Sequence, residues 1–259
     1  MLLRQPFSIL WDEKRRESMA KQYWRPGNLV YPVPVVMVSC QKGEERPNII
    51  TAAWCGTTCS SPAMLYVSIR PDRYSHHIIK ESGEFVVNLV TEELAFATDF
   101  CGVRSGRDTD KFKEMKLTPL ASKYVSCPGI AESPVNLECR VTQILPLGSH
   151  DMFLAEVVGV TADEAYMDEN GRFDLNSAGL VAYSHGEYFK LGKKVGKFGY
   201  SVQKKKKEKG KKQAAEEKRG AAGKKAEIKK SVRENRDGRP GKAPAAGKGK
   251  KKEKSRRVF

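Results

Sequence analysis

Short runs of β-branched and aromatic residues, separated by turn sequences, recur along the first 160 residues of the chain. These runs have the length and composition of buried or half-buried strands and lie at 33–40, 48–54, 63–71, 84–90, 135–147 and 151–160. The last two flank the turn sequence GSHD, which predicts a β-hairpin. No long helix alternates with the strands, as a doubly wound parallel sheet would require. The pattern therefore predicts a mainly β fold, a closed antiparallel barrel.

Short helices are predicted as insertions between the strands. In DRYSHHIIKESG, Ser75 or Asp72 is a candidate N-cap, and Gly83 stands where a C-cap glycine is expected. Thr91, which precedes two glutamates, is a candidate start for a second helix. The sequence DTDKFKEM predicts a further helical turn.

The charge of the chain is concentrated at its C-terminal end. The net charge is +16, yet residues 203–259 alone carry 24 Lys and Arg against 7 Asp and Glu. With few apolar residues and many Lys and Gly, this segment cannot bury enough surface to fold, which predicts a disordered basic tail. Its near lack of aromatics is compatible with weak, non-specific polyanion binding and equally with a solubilising appendage. A third interpretation makes the whole chain a nucleic-acid-associated protein that acts through this tail.

Residues 1–202 have the composition of an ordinary globular domain. The folded unit is expected over 19–202, with residues 1–18 as a mobile extension or as the product of an upstream start site. No apolar run is long enough to span a bilayer, and no signal-peptide pattern is found, so no membrane association and a cytoplasmic location are expected. The cysteines lack CxxC spacing, which favours buried thiols over disulfides or a metal site, so no metal is expected; they are Cys40, Cys55, Cys59, Cys101, Cys127 and Cys139.

Two segments could hold a ligand, although each has a simpler explanation. The chain has neither the GxGxxG nor the P-loop sequence. The run TAAWCGTTCSS, residues 51–61, is rich in small and hydroxyl residues, which is typical of a ligand site but also of a Ser/Thr-rich turn. The sequence RPDRYSHH, residues 70–77, places arginines at a predicted helix start, which suits a phosphate but also a solvated helix end.

These segments also carry a family resemblance. The chain resembles the flavin reductase-like FMN-binding split barrels, and its flavoredoxin branch in particular. The similarity covers about residues 19–202 and rests on several separated motifs in order: NIITAAWCGTTCSSPAMLYVSIRPDRYSHHIIKESGEFVVNL, FCGVRSGRDTDKF, LGSHDMFLAEVVGV and GEYFKLGKKVGKFGYSV. The resemblance implies a homodimer of antiparallel barrels that binds FMN non-covalently near the subunit interface.

The resemblance also assigns roles to individual residues. It implies that Asn48 and Trp54 lie beside the isoalloxazine ring, and that Arg70 and Ser75 bind the phosphate. The residues implied along the ring and the ribityl chain are Thr51, Ala53, Thr57 and Thr58. Lys111 and His150 are implied near the flavin or the incoming donor, and Tyr183 is implied where an aromatic residue closes the site.

Several of these residues have ordinary alternatives on the sequence alone. Lys111 would stabilise negative charge on the reduced ring, or it is a surface lysine. His150 would donate a hydrogen bond to a ligand, or it is a simple turn residue. Trp54 is equally suited to a core position.

The resemblance implies an FMN-dependent oxidoreductase, but it leaves the electron donor open. One interpretation is a flavin reductase-like enzyme that accepts a hydride from NAD(P)H. The other is a flavoredoxin-type carrier that takes electrons from an electron-transfer protein.

Overall fold

The computed structural model of the chain describes residues 21–203, so the expectations for residues 1–18 and for the tail beyond Gln203 lie outside the described residues. The strands are β1 Val33–Pro34, β2 Val36–Cys40, β3 Asn48–Ala52, β4 Cys55–Ser60, β5 Ala63–Ile69, β6 Glu84–Leu89, β7 Pro119–Leu120, β8 Gly129–Ile130, β9 Val135–Pro146, β10 Asp151–Ala162, β11 Val181–Ser184 and β12 Glu187–Lys190. The α-helices are α1 Tyr74–Ser82, α2 Ala95–Val103 and α3 Lys111–Glu114. Short 3-10 turns span Glu164–Tyr166, Leu175–Ala178 and Tyr200–Val202.

The chain divides into two units, a compact first one that ends at Lys193 and a second one that begins at Lys194. Of the second unit, residues 194–203 are described, and they contain the last 3-10 turn. None of the helices among residues 21–203 is long and apolar enough to cross a membrane.

Seven antiparallel strands form the main sheet, in the order β3-β2-β6-β9-β10-β5-β4. The predicted mainly β fold is confirmed, but the prediction of a closed barrel is wrong. The outermost strands, β3 and β4, do not pair with each other, so the sheet is curled and open. Only Ala53 and Trp54 separate these two strands. The chain therefore passes directly from one edge of the sheet to the other, without the reversal that would let β3 and β4 form a hairpin.

The long hairpin of β9 and β10 lies in the middle of this sheet and confirms the two predicted long strands. Its register is interrupted between Leu154 and Ala155 and again between Val157 and Gly159. Such bulges bend a strand and increase its twist, which curls the sheet. The turn of the hairpin places His150 at the end of β10 that pairs with the C-terminal end of β5.

The sheet is buried on both faces along β2. Val36 and Val38 point into a core that contains Phe85 and Phe153, whereas Met37 points into a second core under α2 and α3. Alternate side chains of a strand point to opposite faces, so β2, which is buried at every position, needs a covering layer on each side. The helices cover the second face and bring their side chains to the end of β3.

The predicted C-cap of α1 is confirmed, whereas the predicted starts of the first two helices are wrong. Gly83 caps α1 with φ 70°, and its N–H donates to Ile79, as predicted. Neither Ser75 nor Asp72 caps α1, because the N-cap is Arg73 and Ser75 lies inside the first turn. The second helix begins at Ala95, since Thr91 forms a bridge with Leu180 instead.

The hydroxyl-rich run is a strand over much of its length, since its residues 55–60 form β4. The interpretation of the whole run as a turn is therefore wrong, because pairing with β5 outweighs the turn preference of Ser and Thr. Five of the six cysteines are buried thiols, and Cys59 in β4 is partly exposed.

Candidate functional site

A two-lobed groove lies where the ends of β3 and β5 meet α2. The larger lobe has a volume of about 360 Å³. Its floor comes from β3 and the Ala53–Trp54 crossing, and the GSHD turn brings His150 to its rim. Here the backbone oxygen of Trp54 accepts from the N–H of Ser68 at 2.8 Å, which fixes the crossing against β5.

One wall of the larger lobe is aromatic. Trp54, Tyr183 and Tyr188 line it, and the rings of Tyr183 and Tyr188 meet edge to face with centroids 5.7 Å apart. Tyr31 backs this wall, with its ring 6.0 Å from that of Trp54 and 6.4 Å from that of Tyr183. Flat, rigid rings on one side of a cleft are suited to an aromatic ligand.

The larger lobe also carries a fixed carboxylate, next to the aromatic wall. The hydroxyl of Tyr188 donates to Oδ1 of Asp99 at 3.1 Å. Burial, followed by the charge of Asp99, raises the pKa of Tyr188 to about 12. At neutral pH the tyrosine therefore keeps its proton and holds Asp99 in place.

The smaller lobe, of about 150 Å³, continues the groove and is polar. It shares four lining residues with the larger lobe: Ile50, Arg73, Gly102 and Val103. Its own lining includes Asn48, Ser75, Lys111 and the loop of residues 104–106. Two arginines, a lysine and two serines line this small space together with one carboxylate, that of Asp72, and this excess of cations suits an anionic group.

Ser75 is presented to the smaller lobe by the first turn of α1. Its hydroxyl accepts from the side-chain amide of Asn48 at 2.7 Å, which leaves its own hydrogen free to donate. The N-cap of α1, Arg73, makes no side-chain cap. The free N–H groups and the positive end of the helix dipole therefore add to the attraction for an anion.

Lys111 also lines the smaller lobe and is buried, with 3% of its surface exposed. Its ammonium donates to the backbone oxygens of Ile49 at 2.6 Å and of Cys101 at 2.8 Å, tying β3 to α2. An ammonium has three donors, so one remains for a ligand. Burial lowers the pKa of Lys111, because desolvation disfavours the charged form.

The loop after α2 closes the smaller lobe. Gly106 lies against the side chain of Asn48, where a Cβ would overlap the amide group. Arg46 reinforces this contact, since its guanidinium donates to the backbone oxygen of Gly106 at 2.9 Å. Glycine is therefore required at this position for the loop to approach β3 so closely.

His150 is the histidine that lines the larger lobe. Its Nδ1 lies 2.9 Å from the hydroxyl of Ser149. Partial burial, followed by the charge of Arg70, lowers the pKa of His150 below its ordinary value of 6.5. The imidazole is accordingly neutral at pH 7 and has both a donor and an acceptor nitrogen.

A comparison with known families identifies the family of the protein that contains this groove. The family model for the flavin reductase like domain matches residues 28–192. The chain belongs to this flavin reductase-like family. The match covers all the elements that line the groove.

Individual relatives agree with this assignment. An uncharacterized protein of Archaeoglobus fulgidus is 38% identical over 160 residues, which are 62% of this chain and 88% of that protein. The solved structure of a flavoredoxin of Desulfovibrio vulgaris (Miyazaki F) is 29% identical, with a TM-score of 0.66 over 71% of this chain and all of that one. An FMN-binding protein from Thermus thermophilus, solved with bound 1-cyclohex-2-enone, is 26% identical, with a TM-score of 0.58 over 70% of this chain and 98% of that one.

The structure of this flavin reductase-like protein brings most of the sequence-predicted residues to the groove, but it divides them between the lobes. The larger lobe contains Thr51, Ala53, Trp54, Arg70, His150 and Tyr183. The smaller lobe contains Asn48, Ser75 and Lys111. Asn48 therefore lies at the opposite end from Trp54, and Arg70 lies apart from Ser75. The hydroxyl of Thr51 donates its hydrogen to the backbone oxygen of Thr98. This hydroxyl can therefore only accept a hydrogen bond from a ligand.

Thr57 and Thr58 are not brought to the groove. Both are exposed on β4, and Thr57 lines a separate, mostly apolar cavity with Cys55 and Leu65. Within one chain they contact neither lobe.

Other groove residues were not assigned individually from the sequence. Arg73 lines both lobes, and Asp99, Gly102, Gly106 and Tyr188 shape them. Most of these lie within the segments that carry the family resemblance. Only the fold shows that α2 packs over β3 and that β12 reaches the same cleft.

Among residues 21–203, no group of three or more His, Cys, Asp or Glu side chains is arranged to hold a metal ion.

Proposed function

We propose that this protein is an oxidoreductase that binds FMN non-covalently in the two-lobed groove. Membership of the flavin reductase-like family indicates a flavin-binding redox protein. The observation that carries the choice of FMN is the pairing of an aromatic lobe with a small cationic lobe. The structural relatives named as flavoredoxins and as an FMN-binding protein support the same choice.

The residues of the groove fit the two ends of FMN. Trp54 and Tyr183 offer flat apolar surface for the ring, and His150 and Thr51 offer polar atoms for its edge. Ser75, Lys111 and Arg73 offer a hydroxyl and two cations for a phosphate. The volume of the larger lobe alone lies within the roughly 300–1,000 Å³ that is usual for small-molecule sites.

A bound flavin would supply the hydride- and electron-accepting chemistry of the site. The protein side chains then bind and orient. Lys111 and Arg73 neutralise the phosphate, and the aromatic wall excludes water from one side of the cleft. Tyr188 keeps its proton at neutral pH, so it fixes Asp99 and does not act as a base.

We expect FMN to bind to the purified protein and FAD to bind more weakly. The smaller lobe has a volume of only about 150 Å³, which suits the single phosphate of FMN better than the second phosphate and adenosine of FAD. Absorbance bands at about 370 and 450 nm would indicate a bound oxidised flavin. Titration of apoprotein with FMN and with FAD, followed by flavin fluorescence, gives the two affinities. A protein that takes up neither flavin would refute the proposal.

NAD(P)H is the donor that we propose first, with an electron-transfer protein as the second candidate. The electron-transfer protein is favoured by the structural similarity to flavoredoxins, which extends over the full length of those chains. Stopped-flow mixing of the FMN-loaded protein with NADH, with NADPH and with a reduced iron–sulfur protein separates the two. Rapid bleaching by a nicotinamide supports the reductase, and bleaching by the iron–sulfur protein alone supports the carrier.

We further propose a homodimer in the cytoplasm. The sheet has open edges at β3 and β4, and beside β4 lies the apolar cavity that contains Thr57 and Leu65. A second copy packed there would cover this cavity. If the groove lies near that interface, Thr57 and Thr58 would approach the flavin of the partner copy, which accounts for their distance from the groove of their own chain.

A further inference from the structure

A buried pair of side chains joins α1 to the β9–β10 hairpin. The Nε2 of His76 donates to Oδ2 of Asp151 at 2.9 Å, across 75 positions of sequence. The two side chains are only 8% and 14% exposed. A hydrogen bond so well shielded from water is held firmly, because neither partner gains much by exchanging it for solvent.

Each member of the pair is the neighbour of a groove residue. His76 follows Ser75, which lines the smaller lobe, and Asp151 follows His150, which lines the larger lobe. Consecutive residues share a peptide plane, so a shift of Asp151 moves the backbone of His150 with it. The pair therefore connects α1, which presents Ser75 to the smaller lobe, with the turn that presents His150 to the larger lobe.

Backbone pairing of Asp151 with Ile69 holds the end of the turn against β5, but it does not join the turn to α1. Within the turn, the N–H of Leu147 donates to the backbone oxygen of His150, and Ser149 contacts the His150 ring. Among the described residues, no other side-chain hydrogen bond joins the hairpin to α1. The ring of His76 is also held from a second side, because it packs edge to face on buried Phe153 with centroids 5.2 Å apart.

We propose that His76 and Asp151 are positioning residues that hold His150 at the rim of the larger lobe. This rests on the proposed function, since the value of a fixed His150 lies in its contact with the flavin or its electron donor. Neither residue needs to touch the ligand. Other charged groups that face His150 are Arg70, Asp72 and Arg73, all from the segment that leads into α1.

The test uses variants that remove one partner at a time. His76→Phe keeps a ring against Phe153 but loses the donor, and Asp151→Ala loses the acceptor. Asp151→Asn keeps an acceptor oxygen and serves as the rescue variant. Ile79→Val is the matched control, because it removes one methyl group from a buried position of the same helix without touching the pair.

The first measurement is the NMR titration of the His150 ring protons in the ligand-free protein, assigned with His150→Asn. We expect the midpoint to rise toward 6.5 in His76→Phe and in Asp151→Ala, because the turn leaves its partly buried position. Loss of the Asp151 charge alone would lower the midpoint, so a rise reports movement. The midpoint of the double variant should rise no further than those of the single variants. Asp151→Asn, which loses the charge but keeps the acceptor, should lower the midpoint or leave it unchanged, and Ile79→Val should stay near the wild type.

The second measurement is FMN affinity, which should weaken on the order of tenfold in His76→Phe and Asp151→Ala and remain unchanged in Ile79→Val. An unchanged His150 midpoint in both single variants would overturn the proposal and leave the pair as a purely structural contact. Failure of the FMN proposal is distinguishable, because the wild type would then bind no flavin while the ligand-free titration would still respond to the variants.

Discussion

Replacement of Lys111 by Met should weaken FMN binding on the order of 100-fold. A charge-assisted hydrogen bond to a phosphate contributes roughly 1.5–3 kcal/mol, and the apolar side chain cannot replace it. The variant also leaves the backbone oxygens of Ile49 and Cys101 without their donor. We therefore expect the melting temperature to fall by roughly 5 °C. Isothermal titration calorimetry and thermal unfolding of the apoprotein measure the two effects separately.

Lys113→Met is the control for this experiment, because Lys113 lies on the same helix but is exposed. It should change neither FMN affinity nor melting temperature by much. A Lys111→Met protein that melts earlier but binds FMN as the wild type does would make Lys111 a structural residue only.

The midpoint potential of the bound flavin tells which end of FMN Lys111 contacts. Oxidised and reduced FMN carry the same phosphate, so a lysine at the phosphate changes both affinities equally and leaves the potential unchanged. A lysine beside the ring, the role implied by the family resemblance, would favour the reduced anion, and its loss would lower the potential by about 30 mV per tenfold difference in affinity. The position of Lys111 beside Ser75 in the smaller lobe favours an unchanged potential.

The same lysine predicts how FMN binding depends on pH. Burial lowers the pKa of Lys111 below 10.5, and a bound phosphate stabilises the charged form. FMN affinity should therefore decrease as pH rises through the lowered pKa, because above it the ammonium must regain a proton before it can pair with the phosphate. Lys111→Met should remove this component of the pH profile.

Replacement of Gly106 by Ala should weaken FMN binding by roughly 10- to 100-fold, with a smaller loss of stability. The added Cβ would overlap the side chain of Asn48, so either the loop or the amide must move. Overpacking of this kind typically costs about 1–3 kcal/mol. Movement of Asn48 would also disrupt its 2.7 Å hydrogen bond to Ser75, which orients the hydroxyl in the smaller lobe. Fluorescence titration with FMN measures the loss.

Gly192→Ala provides the comparison, because a Cβ at Gly192 would meet nothing within 4 Å. It should bind FMN as the wild type does. If the effect of Gly106→Ala arises through Asn48, the double variant Gly106→Ala/Asn48→Ala should be no weaker than Asn48→Ala alone. Losses that add independently would contradict a contact between the two residues as the cause.

The sequence predicts the strands of the main sheet better than its helix ends. The runs of Val, Ile and aromatic residues in β2, β5, β6, β9 and β10 are apolar enough to specify buried strands locally. Ser75 and Thr91 fail as caps because tertiary contacts take priority. Ser75 bonds to Asn48 from β3, and Thr91 pairs with Leu180 across the fold. A local propensity of about 1 kcal/mol is easily outweighed by such partners.

The prediction of a closed barrel fails for a related reason. Closure depends on whether the first and last strands of the sheet meet, and this is set by the path of the chain between β3 and β4 rather than by their composition. The hydroxyl-rich run was known from the sequence, but nothing in its pattern shows that residues 55–60 join the far edge of the sheet.

The sequence by itself determined the strand-rich character of this protein, the separation of a basic tail from a near-neutral domain, and its family. These properties depend on residue type and on order along the chain. Only the tertiary structure decided that Lys111 is buried in the same lobe as Ser75, that Asn48 and Trp54 serve different lobes, and that His76 meets Asp151. Those contacts join residues tens of positions apart, and their geometry depends on how the curled sheet and its helices pack, which no local pattern encodes.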